Sequence, residues 1–338
     1  MAWKVRREVD RERSGASSEI PFPVQGKVGR IEDPPSAAFF KRYVEANRPV
    51  VISGAMEGWP ALDRWSWDYL AGIAGDCSGE VIVSRNGLYP DYVTQPSPMT
   101  KVEMPFAEFL RRAGAVAGAE PLPPILGPGE TYYLYGKSYL LDAVPALRAD
   151  LRTPDCLGAV AKPFQRLWIS TPGCVTPLHY DLSNGFLCQV RGTKQVWLFD
   201  PTQFDRLYPR GPQFPGLDNF ERQTQVDIHH PDYEAFPEFR RATALECHLR
   251  QGDTLFIPSN WWHEVETLDL SLSVQLAFAG GTVTSELAVL SDLFKTKRPE
   301  ELMNEPAVQR LMQDPTMMQA LLRMMAGATS APNTPPPA

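Results

Sequence analysis

From Tyr132 to Phe278 the chain repeats one pattern: a short run of β-branched, aromatic and aliphatic residues, then a turn signal. The runs are TYYLY, RLWIST, HYDLSNGFLCQV, KQVWLFD, ALECHLR, DTLFIP, HEVETL and LSLSVQLAF. Several alternate apolar and polar positions with the period of two that a half-buried strand requires. Many short strands with no helical period between them predict a sandwich or a barrel. Residues 202–243, rich in Pro, Phe and Asp, interrupt the series and read as an excursion between strands, where loops that touch substrate are often found.

The flanks follow other periods. PPSAAFFKRYVEANRP predicts a short amphipathic helix with Pro35 near its start, Phe39, Phe40, Tyr43 and Val44 on its buried side, and a stop before Pro49. VVIS and EVIVS predict strands. GWPALDRWSWDYL, between them, predicts a helix anchored by Trp59, Trp65 and Trp67. Residues 116–130, rich in Ala, Gly and Pro, predict a surface loop. After Gly280 a period of 3.6 sets in: SELAVLSDLF places Leu287, Leu290 and Phe294 on one face. EPAVQRLMQDPTMMQALLRMM then predicts two short helices opened by Glu305-Pro306 and Asp314-Pro315. These patterns divide the chain into a flexible N-terminus (1–25), one main domain (26–280), C-terminal helices (281–326) suited to dimerisation, and a disordered tail (327–338).

Composition narrows the class. With 338 residues, 43% hydrophobic and 22% charged, the chain has the makeup of a soluble globular protein with a sizeable core. No apolar run approaches the roughly 18 to 20 residues of a membrane span, and the charged N-terminus is not followed by a secretory core, so the expected location is the cytoplasm. Cys77, Cys156, Cys174, Cys188 and Cys247 are odd in number and form no CxxC pair, which predicts reduced thiols and no structural zinc. A net charge of −7 argues against broad binding to nucleic acid or to an anionic membrane, though not against a local basic groove.

Candidate chemistry centres on five histidines, at 179, 229, 230, 248 and 263. His179 and Asp181 stand two apart in a strand-like run, so both side chains leave the same face and can meet one ion. His263, beyond DTLFIPSNWW, is the expected third ligand; His229, His230 and His248 are expected to be surface or loop residues. Two imidazoles and one carboxylate leave coordination positions open on one side, as non-haem iron(II) oxygenases require for a 2-oxo acid and dioxygen. Lys194, fifteen residues after His179, is suited to the distal carboxylate of 2-oxoglutarate, with Thr176 and Tyr133 as further donors. An exposed strand lysine, a β-former and a core tyrosine are the ordinary alternatives for these three.

Three motifs together, TPLHYD, QVRGTKQVWLFDP and QGDTLFIPSNWWHEVE, with RPVVISGAMEGWPAL upstream, resemble the JmjC (cupin-like) iron(II)- and 2-oxoglutarate-dependent oxygenases over residues 30 to 280. The likeness is strongest to the small hydroxylase branch typified by the asparaginyl hydroxylase of hypoxia-inducible factor. The resemblance implies a mainly β fold: a double-stranded β-helix (jelly-roll or cupin) core with N-terminal helices and a C-terminal helical extension. It implies iron ligation by His179, Asp181 and His263, co-substrate contacts from Lys194, Thr176 and Tyr133, and pocket-facing Gln189 and Gln275. It implies iron(II), with 2-oxoglutarate and dioxygen as co-substrates. One departure stands out. Many members carry asparagine six residues after the first histidine, whereas here Gly185 occupies that place and Asn184 precedes it.

The expected activity is hydroxylation of an unactivated C–H bond, foremost in a protein or peptide side chain. A free amino acid, a natural product or a tRNA base is the alternative substrate, and a catalytically silent cupin-like binding protein is the alternative of another class. Demethylation shares the chemistry but is disfavoured by the lack of any reader or zinc module in the sequence.

Overall fold

A computed structural model describes residues 20–89, 98–158, 163–210 and 222–278. Eight strands carry the centre of the fold: β7 (Phe164–Ser170), β8 (Val175–Tyr180), β9 (Asn184–Arg191), β10 (Lys194–Phe199), β11 (Ala244–Leu249), β12 (Asp253–Ile257), β13 (Trp262–Thr267) and β14 (Ser271–Phe278). Six earlier strands precede them: β1 (Val24–Lys27), β2 (Arg30–Glu32), β3 (Val50–Ser53), β4 (Ser78–Ser84), β5 (Met99–Pro105) and β6 (Thr131–Lys137). One sheet runs β1-β11-β10-β13-β8, the other β2-β3-β12-β9-β14-β7-β6-β4-β5. Within them β8, β13, β10 and β11 lie side by side and face β7, β14, β9 and β12. Successive strands thus wind between two sheets, as in a double-stranded β-helix, and the expected mainly β cupin core is what forms.

Alternation along each strand sorts residues to the two faces. Between the sheets, Leu187, Leu255 and Ile257 of one pack against Val196, Leu198, Leu249 and Val265 of the other. The outer face of the larger sheet carries Leu167, Ile169, Phe186, Val274 and Leu276, covered by the N-terminal helices. There the Phe186 ring packs at 5.4 Å from Phe39, 5.7 Å from Phe256 and 5.4 Å from Phe278. The outer face of the smaller sheet buries Trp197, Phe199 and Trp262 under Leu207, Val226, Ile228 and Phe239 of the excursion. The excursion therefore acts as the second layer for that sheet.

The first predicted helix forms as α1 (Ser36–Phe39), continuing as a π-turn over Phe40–Val44; Phe39 and Val44 are buried, Phe40 and Tyr43 half-buried. The tryptophan-rich segment makes two helices rather than one, α2 (Pro60–Arg64) and α3 (Trp67–Ala74), because Ser66 leaves the helical conformation and its hydroxyl caps α3 by accepting from Tyr69 N–H (3.2 Å). Three further helices, α4 (Phe106–Arg112), α5 (Tyr139–Ala143) and α6 (Pro145–Ala149), and the strand β5 have too short a period to be read from sequence. Residues 116–130 form no regular element. HYDLSNGFLCQV divides into the end of β8, a turn at residues 181–183 and β9, which lie in different sheets. The cysteines are unpaired; four are buried and Cys77 is half-buried. Among the described residues no helix is long and apolar enough to cross a membrane. The expected C-terminal helices, the dimer they suggested, the tail and residues 1–19 lie outside the described residues.

Candidate metal centre

His179 and His263 face each other across the β8–β13 pairing, directly in register, with ring centroids 4.3 Å apart. Asp181 lies one residue beyond β8, in the turn, and its backbone carbonyl accepts from Asn260 N–H at 2.7 Å. That contact ties the β8–β9 turn to the β12–β13 turn and holds the carboxylate over the two imidazoles. One ligand atom from each of His179, Asp181 and His263 can be chosen so that all lie within 4.8 Å of one another, and Asp181 Oδ2 is 4.0 Å from His263 Nε2.

The tautomers are set locally. His179 Nδ1 lies 2.8 Å from the Pro177 carbonyl and His263 Nδ1 lies 3.0 Å from the Trp261 carbonyl. A carbonyl accepts only from N–H, so each Nδ1 carries the proton and each Nε2 keeps its lone pair for an ion. Burial, together with the neighbouring His263 charge, pushes the His179 pKa down to about 4, so the ring is neutral at pH 7. Burial alone raises the Asp181 pKa, but the attraction of His179, His263, Arg222 and Arg166 outweighs it and holds the carboxyl below its ordinary range. Two imidazole nitrogens that keep a lone pair and one carboxylate oxygen make a donor set that suits a divalent transition metal.

Deeper in the barrel the inner face of the smaller sheet turns polar. Lys194 opens β10 opposite Thr267, whose hydroxyl bridges to Ser170 of the facing sheet at 2.8 Å. Thr176 of β8 opposes Val265, and its hydroxyl lies 3.2 Å from the Tyr133 phenol of β6. Lys194 is 1% exposed, and among the described residues no carboxylate pairs with its ammonium and no hydrogen bond reaches it. Burial drives its pKa down to about 8. A lysine is rarely buried without a counter-charge, so this one fits an anion that enters the barrel from outside.

Gln189 and Gln275 both lie on the inner face, with different surroundings. The Gln189 carboxamide is fully committed: its N–H groups donate to Ser271 Oγ and the Arg191 carbonyl (2.6 Å each), and its oxygen accepts from Ser273 at 2.7 Å. Gln275 accepts from the Trp168 indole at 3.3 Å. Asn184 does not lean toward the ligands. Its oxygen accepts from Ser259 N–H at 3.1 Å and pins the β12–β13 turn. A Cβ on Gly185 would meet only Gln275 Nε2, at 3.9 Å.

Outside the ligand set, His229 pairs with the buried Glu264 at 2.5 Å. Burial lowers the His229 pKa, but the Glu264 bond together with the charges of Glu264, Glu266 and Asp227 outweighs it and the net shift is upward. His230 and His248 are exposed, and none of the three joins the ligand cluster. Sequence reasoning missed three groups that the fold brings near Asp181 or His179: Arg166 on β7, and Arg222 and Gln223 in the excursion. Neither period nor spacing marks them, because residues 222 and 223 gain their position only when the excursion folds back along the edge of β8.

The cupin-like domain family matches residues 36–279 of this chain. Lysine-specific demethylase 8 of Xenopus tropicalis is 30% identical over 251 residues, which is 73% of this chain and 52% of that protein. The protein of the same name from Danio rerio is 34% identical over 254 residues, 73% of this chain and 57% of that protein. Human tRNA wybutosine-synthesizing protein 5 is 26% identical over 292 residues, 84% of this chain and 85% of that protein. The chain thus spans little more than half the length of these two demethylases.

Proposed function

From the premise that this chain belongs to the cupin-like JmjC family of iron(II)- and 2-oxoglutarate-dependent oxygenases, we propose that it hydroxylates an unactivated C–H bond of an amino-acid side chain in a protein or peptide. The observation that carries this reading is the pairing of the His179, Asp181 and His263 cluster with a buried lysine that has no counter-charge among the described residues. An iron(II) ion held by these ligands supplies dioxygen activation coupled to oxidative decarboxylation of a 2-oxo acid.

The chain's own groups do the rest. Pro177 and Trp261 carbonyls orient the two imidazoles and keep Nε2 directed at the ion. Lys194, with Thr176 and Tyr133, holds the distal carboxylate of the co-substrate by charge-assisted hydrogen bonds. Gln275 flanks the pocket, and Gln189 acts as a strut between β9 and β14. The walls of Leu187, Val196 and Val265 exclude water from the region between ion and lysine.

A second reading has one observation in its favour. The wybutosine-synthesizing relative is matched over 85% of its length, so a tRNA base is a substrate class to be tested. The net charge of −7 does not by itself remove it. Demethylation, the activity in the names of the demethylase relatives, starts from the same hydrogen abstraction.

The test measures Mn(II) affinity by electron paramagnetic resonance and 2-oxoglutarate turnover by succinate release. His179→Ala and Asp181→Ala are expected to weaken metal binding by at least about 100-fold and to reduce succinate to background. Full turnover in either variant overturns the oxygenase reading.

A further inference from the structure

The turn between β12 and β13, residues 258–261, reaches two of the three ligand residues at once. Asn260 N–H donates to the Asp181 carbonyl at 2.7 Å, and the Trp261 carbonyl accepts from His263 Nδ1 at 3.0 Å. The ladder holds His179 and His263 directly, because they oppose each other in it. Asp181 has no such support. It stands one residue past the last pair, Tyr180 opposite Trp262, so the Asn260 contact fixes its backbone instead. A shift of this turn therefore moves the carboxylate and rotates one imidazole together.

The ladder does not close the turn either. The β9–β12 pairing ends at Gly185 opposite Ile257, and the next residue, Pro258, has no N–H to continue it. The Asn184 side chain takes over at that point. Its oxygen accepts from Ser259 N–H at 3.1 Å, with Asn184 2% and Ser259 4% exposed. Asn260 then takes a left-handed φ of 66°, which asparagine tolerates better than most residues with a side chain. At the far end the Trp261 indole N–H donates to the Asn47 carbonyl at 2.7 Å. Two outside groups thus grip the turn, one from β9 and one just beyond the first helix. Period two sends the Asn184 side chain to the face of Phe186, opposite the barrel face that Gly185 occupies. An amide at 184 therefore serves the turn, where an amide at 185 would enter the barrel.

We propose that Asn184 is a positioning residue for the metal centre. Acting through Ser259 and Asn260, it sets where Asp181 and His263 stand, and so sets metal affinity without touching metal or co-substrate. The proposal deepens the oxygenase reading and rests on it, since it needs an ion at the three ligands. Groups that orient ligands from outside the coordination shell typically govern affinity by one to two powers of ten.

The experiment measures Mn(II) affinity of the full chain by electron paramagnetic resonance, and N-oxalylglycine affinity by calorimetry at saturating Mn(II). Asn184→Ala is expected to weaken Mn(II) binding about tenfold and to alter the zero-field splitting of the bound ion. Its N-oxalylglycine affinity should stay within about twofold of the parent once the metal site is full. Asn184→Asp keeps the acceptor oxygen and should recover most of the metal affinity. Phe186→Ala separates positioning from folding: it should lose at least as much stability in urea and keep the parent's Mn(II) affinity. Asn260→Ala strains the left-handed residue of the same turn and should weaken Mn(II) about threefold, whereas Asn260→Gly should not. That pair decides the matter if Asn184→Ala does not fold. Parental Mn(II) affinity in folded Asn184→Ala, or in Asn260→Ala, overturns the proposal. So does a loss of N-oxalylglycine affinity with Mn(II) binding intact, or an equal loss of Mn(II) in Phe186→Ala. Failure of the parent to bind Mn(II) through His179 overturns the oxygenase reading and the positioning role with it.

Discussion

Gly185 and Phe186 are neighbours on β9, yet they belong to two different chemical regions. Phe186 points to the outer face, fully buried among Phe39, Phe256 and Phe278. Gly185 points inward, toward Gln275. The same division runs along β14, where Leu272, Val274 and Leu276 face the helices while Ser271, Ser273 and Gln275 face the barrel. The outer face is largely apolar, and the Thr254 hydroxyl is buried on it without a hydrogen-bond partner among the described residues. The inner face holds a serine–glutamine network, a buried lysine and two imidazoles. The difference teaches that stability and chemistry are separated by one residue of register: one layer holds the fold, and the other carries polar groups that a core built only for stability would exclude.

Phe186→Ala is expected to break the first layer and spare the second. Removing the ring from a closed aromatic cluster should cost roughly 3–5 kcal/mol, read as a lower urea midpoint with an unchanged slope. Where the variant is still folded, its Mn(II) affinity should equal that of the parent. A variant that keeps its stability but loses the metal would erase the distinction between the faces.

Lys194→Met acts the other way. The loss of one charge-assisted contact should weaken N-oxalylglycine binding by roughly 10- to 100-fold, measured by calorimetry. The apoprotein should meanwhile be at least as stable at pH 7, because a buried ammonium without a partner among the described residues has been removed. The pH profile sharpens this. The Lys194 pKa in the folded chain is about 8, below its ordinary value of 10.5. Between those values the unfolded chain binds more protons, so the stability of the parent apoprotein rises with pH across that window. Below about pH 8 the burial penalty is fully present. The methionine variant should lack this rise, and a parallel rise in both proteins would assign it to other groups.

Much of this division was legible in sequence, and the reason is physical. Period-two alternation in LSLSVQLAF places serines and glutamine on one face and aliphatics on the other, and His-x-Asp at that period predicts a shared ion. His263 was singled out as the histidine behind DTLFIPSNWW and Lys194 by its spacing from His179, while their register across the strands comes only from the fold. Arg222, Gln223 and Arg166 were not. Arg222 and Gln223 reach the site through tertiary folding of an excursion that has no period, and Arg166 looks like any strand arginine until its neighbours are known. The turn that separates β8 from β9 was also hidden, since Asp181, Leu182 and Ser183 interrupt the apolar pattern too briefly to announce a change of sheet.

The smallest expected effect tests the comparison most finely. Gly185 occupies an ordinary strand conformation, and an added methyl would meet one side-chain nitrogen at 3.9 Å, an ordinary contact distance. Gly185→Ala should therefore fold normally. Its lower chain entropy when unfolded gives a stability change between zero and a gain of about 1 kcal/mol. Any functional consequence should appear in binding alone, as a change of up to about threefold in N-oxalylglycine affinity, since the methyl projects into the barrel rather than into the core. Gly185→Asn, which restores the residue type common at this place in the family, should likewise fold, with its amide within reach of Gln275. If the alanine variant instead loses more than about 2 kcal/mol, the magnitude reserved for overpacked cores, then the inner face at β9 is packed as tightly as the outer one, and the two layers differ in polarity but not in the room they leave for a ligand.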